Sequence, residues 1–111
     1  MTSALAIKDW KGVKRRALSA TEIVSALAKL EGWRLDGDGA AVAIEKTFAF
    51  SNYFETMAFA NAVALVAHRQ DHHPQMTVEF SRCVVRYNTH DVGGISATDL
   101  ECAAHIDALL A

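Results

Sequence analysis

The sequence predicts an α+β fold, a four-stranded antiparallel sheet with three helices packed on one face, in the order α-β-β-α-β-β-α. Helix-start signals stand at three well-separated places. Between them lie two pairs of short alternating segments that read as hairpins. The chain has 111 residues, 51% hydrophobic and 22% charged, enough for one domain with its own core and too apolar for a disordered chain.

The elements follow in order. Ser19-Ala20-Thr21-Glu22 fits a capping box, in which the serine oxygen and the glutamate carboxylate satisfy free backbone N–H groups. Ile23, Leu27 and Leu30 continue at helical spacing, and the helix is expected to end near Gly32. Residues 33–36 and 41–50 flank Gly37-Asp38-Gly39, which is turn chemistry, so the pair reads as a hairpin. In its second arm Val42, Ile44, Lys46, Phe48 and Phe50 share one parity and form the core side, with Lys46 the exception.

Ser51 is the expected cap of a second helix running to about Gln70. Phe54, Met57, Ala58, Asn61, Leu65 and His68 lie along one face, widened by Phe59, Ala62, Val63 and Val66. Pro74 ends the segment, because the residue before a proline avoids the helical region. Residues 76–80 and 82–89 are two further alternating strands, with Met76, Val78 and Phe80 on one parity of the first. Gly93-Gly94 breaks the chain, a loop needing positive φ. Ser96 then caps a last helix with Asp99 at its third position and Leu100, Ala103, Ile106 and Leu110 as its apolar stripe.

Composition excludes several function classes. Eleven Lys and Arg against thirteen Asp and Glu give a net charge of −2, which argues against a general nucleic-acid binder. No run of eighteen apolar residues is available to span a membrane. Cys83 and Cys102 are too few for a disulfide scaffold and lack close metal spacing, so they read as core fillers in a reducing cytoplasm. Residues 1–17 form a basic N-terminal tail with Lys8, Lys11, Lys14, Arg15 and Arg16, and residues 18–111 the single domain. A basic leader suits organelle targeting or an RNA contact; a solvated, partly ordered tail is the favoured reading.

Five histidines are the odd feature of the composition. His72 and His73 precede Pro74 at a helix-to-strand junction, and His90 follows the fourth strand. In an antiparallel pair the start of the third strand lies beside the end of the fourth, so the three imidazoles are expected to meet at one end of the sheet. Imidazole titrates near neutral pH and suits acid/base work on a small ligand. A metal site is the rival: His68 and His72 are four apart on one helical face, with His90 as a third ligand. No carboxylate or cysteine completes an established ligand pattern and there is no HExxH motif, so metal-free proton transfer is favoured. His105 reads as structural or interfacial.

The sequence resembles the pterin-4a-carbinolamine dehydratases. The resemblance rests on His72-His73-Pro74, Phe80, Thr89-His90-Asp91, Gly93-Gly94-Ile95-Ser96 and Asp99, with His68 at the polar position four before the first histidine. It spans roughly residues 18–110 and includes Trp33, Phe48 and Phe50. It implies a hydro-lyase that dehydrates 4a-hydroxytetrahydrobiopterin to quinonoid dihydropterin in tetrahydrobiopterin recycling, with no cofactor and no metal. It implies His72, His73 and His90 as catalytic residues, His68, His73 and Asp91 as substrate contacts, and Asp99 as a helix cap rather than a catalyst. The implied partners are a pterin substrate and further copies of the chain, as a homodimer or homotetramer. A second reading on the same scaffold is a non-catalytic assembly or regulatory protein. Met76 departs from the family pattern, because many relatives carry a tryptophan there.

Overall fold

The computed structural model describes residues 5–10 and 14–111, so the parts of the basic tail at 1–4 and 11–13 lie outside the described residues. Three helices, α1 (Ala20–Leu27), α2 (Tyr53–Gln70) and α3 (Ala97–Ala108), accompany four strands, β1 (Arg34–Asp36), β2 (Ala43–Ala49), β3 (Gln75–Val78) and β4 (Arg82–Tyr87). The strands form one antiparallel sheet in the order β1-β2-β4-β3, as the α+β expectation required.

The capping box forms as read. Ser19 Oγ accepts from the Glu22 N–H at 3.2 Å, and Glu22 Oε1 accepts from the Ser19 N–H at 2.9 Å. The helix is shorter than expected: it ends at Leu27 and passes through turns to Gly32, where φ is +85°. A side chain at Gly32 would also stand 2.9 Å from the Lys46 stem, so glycine answers two demands there.

Lys46 sits on the core side of β2 with Ile44 and Phe48, as its parity requires. Its ammonium escapes the apolar layer by donating to the Glu31 carbonyl at 2.8 Å and to Asp107 Oδ1 at 3.0 Å. Trp33 Nε1 donates to the same carboxylate at 3.0 Å. The lysine stem packs on apolar neighbours while its charged end finds partners, so the exception in the alternation is a snorkelling side chain.

Five local expectations are corrected. The hairpin turn is longer than read: after Gly37 a 3-10 turn over Gly39–Ala41 delays β2 to Ala43. Asn52, not Ser51, caps α2, its side chain accepting from the Glu55 N–H at 2.9 Å. The core face of α2 is Thr56, Phe59, Ala60, Val63 and Ala67, whereas Phe54 is 82% exposed. Alanine and apolar residues surround this helix on nearly every side, so periodicity alone could not choose the face. Thr56 on this face is polar, yet its hydroxyl donates to the Asn52 carbonyl at 2.9 Å and lies 3.0 Å from the Phe80 carbonyl, which makes it a satisfied core residue. Phe80 itself lies in the turn after β3, 65% exposed, because the strand ends at Val78. On α3 the stripe is confirmed at Ala103 and Ile106, but Leu110 falls beyond the helix end and is exposed.

The core lies between the sheet and the helices. Ile44, Phe48, Cys83, Val85 and Tyr87 from the sheet meet Phe59, Val63, Cys102, Ala103 and Ile106. Phe59 packs against Phe48 and Phe50 at centroid separations of 4.6 and 5.0 Å, with the rings tilted by 39° in each pair. Both cysteines are fully buried and free. Burial pushes the Cys102 thiol up to about 12, so it stays neutral and behaves as a small apolar filler.

Candidate active site

The site forms where three chain segments meet: the end of α2, the end of β4, and the start of α3. Helix α2 stops at Asp71, whose φ of +48° lies in the left-handed region that aspartate tolerates better than most residues. The reversal lets the His72 N–H return to the Ala67 carbonyl at 3.1 Å and turns the next two residues apart. His72 points inward and is buried, whereas His73 is exposed and held extended by Pro74. The register Gln75↔Arg86 then places the end of β4 beside this junction. His90 follows on a 3-10 turn, His90–Val92, closed by Gly93 with φ +66°. The sheet end expected to gather the three histidines therefore does so.

His72 Nε2 lies 2.6 Å from Asp99 Oδ1, and Asp99 is completely buried. The other carboxylate oxygen accepts from the Thr89 hydroxyl at 2.7 Å and from the Ser96 N–H at 2.9 Å. Thr89 Oγ1 and Ser96 Oγ are 2.6 Å apart. Nε2 is the ring nitrogen that faces the carboxylate, and Nδ1 takes no bond from the described residues. The ring stacks on Tyr87 at 5.2 Å, and the Tyr87 hydroxyl donates to the His72 carbonyl at 3.2 Å. Burial raises the Tyr87 phenol far above its ordinary value, so it remains a neutral donor. The arrangement holds one imidazole in a fixed orientation, as a carboxylate does in acid/base sites generally.

Around His72 a cleft of about 250 Å³ is lined by His73, Thr89, His90 and Asp91, with Asp71, Asn88 and Arg15 at its sides. A second depression of about 420 Å³ shares His73 and Asn88 and runs over Pro74, Gln75 and Arg86. His72, His73, His90 and Asp91 are thus brought together. His68 is not: its Nε2 is 2.9 Å from the Leu5 carbonyl, and it does not line the cleft. His105 is exposed on α3, 3.9 Å from Glu101. Among the described residues, no group of three or more His, Cys, Asp or Glu is placed to hold a metal ion.

Sequence reasoning gave Asp99 one role, the helix cap, and the structure gives it two. The SATD start of α3 was legible; the 27-residue step back to His72 was not. Thr89, Ser96, Asn88 and Arg15 were not singled out as site residues, although Thr89 and Ser96 flank the histidine loop and the cap.

Residues 16–109 match the family model described as pterin 4 alpha carbinolamine dehydratase. A protein of Paracidovorax citrulli, provisionally named a pterin-4-alpha-carbinolamine dehydratase, is 66% identical over 110 residues, covering 99% of this chain and 95% of its own. A Nitrosospira multiformis protein of the same provisional name is 49% identical over 92 residues, 83% of this chain and 78% of its own. A crystal structure from Brucella melitensis, titled a transcriptional coactivator/pterin dehydratase, superposes with a TM-score of 0.80 at 28% identity, covering 86% of this chain and all of that one. A pterin dehydratase-like protein described as a RuBisCO assembly factor in the alpha-carboxysome gives 0.59 at 28% identity, over 71% of this chain and 89% of its own.

Proposed function

The chain belongs to the pterin 4 alpha carbinolamine dehydratase family, and from that premise we propose that it dehydrates 4a-hydroxytetrahydrobiopterin to quinonoid dihydropterin by histidine general acid/base catalysis. The observation that carries the reading is the buried His72–Asp99 pair at 2.6 Å, opening on a cleft lined by His73 and His90. The C4a hydroxyl leaves as water once an imidazolium protonates it, while the N5 lone pair forms the new C=N bond. A proton must then leave the pterin nitrogen system for a second base, so the two transfers cancel and the protein returns to its starting state. Two or three imidazoles around one cleft supply an acid and a base at neutral pH without a redox step.

In this reading His72, His73 and His90 are the acid/base groups, and His73 and Asp91 also orient the pterin. His68 reaches the substrate only where its bond to Leu5 is released. The reaction needs no cofactor and takes place in the cytoplasm as part of pterin recycling. Self-association as a homodimer or homotetramer fits two surfaces. Strand β3 is an open edge, and Phe50, Phe54, Ala58, Ala62, Leu109 and Leu110 line an apolar depression.

A stopped-flow record of 4a-carbinolamine decay tests the proposal. Acceleration over the spontaneous rate is expected at catalytic concentrations of the protein, and its absence would sink the reading. The second reading, a non-catalytic assembly protein, is favoured by the structural neighbour named as an assembly factor. It predicts no acceleration and one stoichiometric protein partner. A buried imidazole–carboxylate pair is an expensive feature for a docking surface to keep, which is why the dehydratase reading leads.

A further inference from the structure

The family match begins at residue 16, yet the chain before it is built into the site. A helix leaves its last four carbonyls without intrahelical partners. In α2 these are residues 67–70. The carbonyls of Ala67 and His68 are taken by the N–H groups of His72 and Asp71. Those of Arg69 and Gln70 are taken by the N-terminal segment: the Lys8 N–H donates to Arg69 at 2.7 Å and Trp10 Nε1 to Gln70 at 2.5 Å. His68 holds the Leu5 carbonyl, and the Lys8 ammonium pairs with Glu101 on α3 at 2.9 Å. The segment is therefore a strap across the helix end that launches His72 and His73.

Among the described residues that follow it, Arg15 lines the cleft. Arg16 is spent in a two-point pair with Glu22, at 2.6 and 2.8 Å. Arg15 is half-buried, lines the histidine cleft, and has no acidic partner among the described residues. Its guanidinium lies 5.0 Å from the Trp10 ring centroid, which orients it without neutralising it. Its planar fork matches a phosphate or carboxylate. The two carboxylates in the same cleft, Asp71 and Asp91, suit the donor-rich amino-pyrimidine edge of a pterin. Arg15 does not suit that edge, which leaves the ring substituent as its partner.

We infer that Arg15 is a specificity residue, and that the cleft takes a pterin whose ring substituent ends in an anionic group such as a phosphate monoester. The inference rests on the pterin reading of the site and narrows its substrate class. Equilibrium binding to the full chain separates the two claims. The protein is titrated with 7,8-dihydroneopterin and with its monophosphate, followed by pterin fluorescence. The monophosphate is expected to bind about tenfold tighter or better, the scale of one charge-assisted hydrogen-bonded contact. Arg15→Ala should bring the ratio of the two dissociation constants to about one, and Arg15→Lys should keep part of it, because a point charge replaces the fork. Equal affinities in the unaltered protein, or a preference that survives Arg15→Ala, overturn the inference and leave the dehydratase reading standing. Failure of both pterins to bind overturns the two together.

Discussion

The two ends of α3 each hold a carboxylate that ties distant parts of the chain, and they do it to different ends. At the C-terminal end Asp107 accepts from Trp33 and Lys46, which pins the first hairpin to the helix. At the N-terminal end Asp99 accepts from Thr89 and Ser96 and pairs with His72. Both clusters satisfy buried or half-buried polar groups. Only the second includes an imidazole, and only there, among the described residues, does a ring nitrogen remain unclaimed beside a cleft. A structural knot closes on itself, whereas a reactive one keeps a position open. The difference between the knots is thus a difference in what their members can exchange with a ligand, more than in how well they are bonded.

The strongest way to break the comparison is at the N-terminal knot. His72→Ala is expected to lower the dehydration rate by about 10²-fold or more while the far-UV circular dichroism is kept, the usual scale for a lost acid/base group. Asp99→Asn should act in the same direction. The amide must turn its NH₂ either toward His72 Nε2 or toward the Thr89 hydroxyl and Ser96 N–H, so one side of the His72–Asp99–Thr89 network loses its acceptor. Rates near those of the unaltered protein in both variants would reduce Asp99 to a helix cap.

Asp107→Ala should show the opposite split. Removing the acceptor leaves Trp33 Nε1 and part of the Lys46 charge unpaired, at a cost of about 1–3 kcal/mol in urea denaturation. The turnover number should hold at temperatures where the variant is folded. A variant that lost activity in step with Asp99→Asn would erase the distinction drawn between the two ends.

The smallest effect lies at α1, away from both knots. Arg16 and the Ser19 N–H hold the Glu22 carboxylate down to about 2, against an ordinary 4.5. A carboxylate held low contributes stability that is present above its unfolded value and is lost as pH falls through its folded value. Glu22→Gln should therefore lower Tm slightly at pH 6–7, with the difference fading between about pH 4.5 and 2. The pair is fully solvated, so 0.5 M salt should shrink the difference further. A Tm gap that persisted at pH 2 would show that the helix cap acts without charge.

Much of the fold could be read from local chemistry. The SATE and SATD starts, the Gly37 turn, the alternation of β2 and β4, and Pro74 each act within a few residues, so their signals are present in the string itself. The face of α2 was not readable, because its alanines make several stripes equally apolar, and the choice fell to what Phe48 and Phe50 present from the sheet. Phe80 was misplaced for a related reason: alternation cannot tell where a strand yields to its turn.

The candidate site divides along the same line. The sequence by itself determined the histidines, their junctions and the cap, because those depend on residue type and short-range backbone preference. Only the tertiary structure decided that His72 turns inward to Asp99 while His73 faces solvent, and that His68 holds the N-terminal segment instead of the cleft. Those outcomes depend on a left-handed residue at Asp71 and on pairings 27 and 63 residues apart, where packing and not propensity sets which groups can meet.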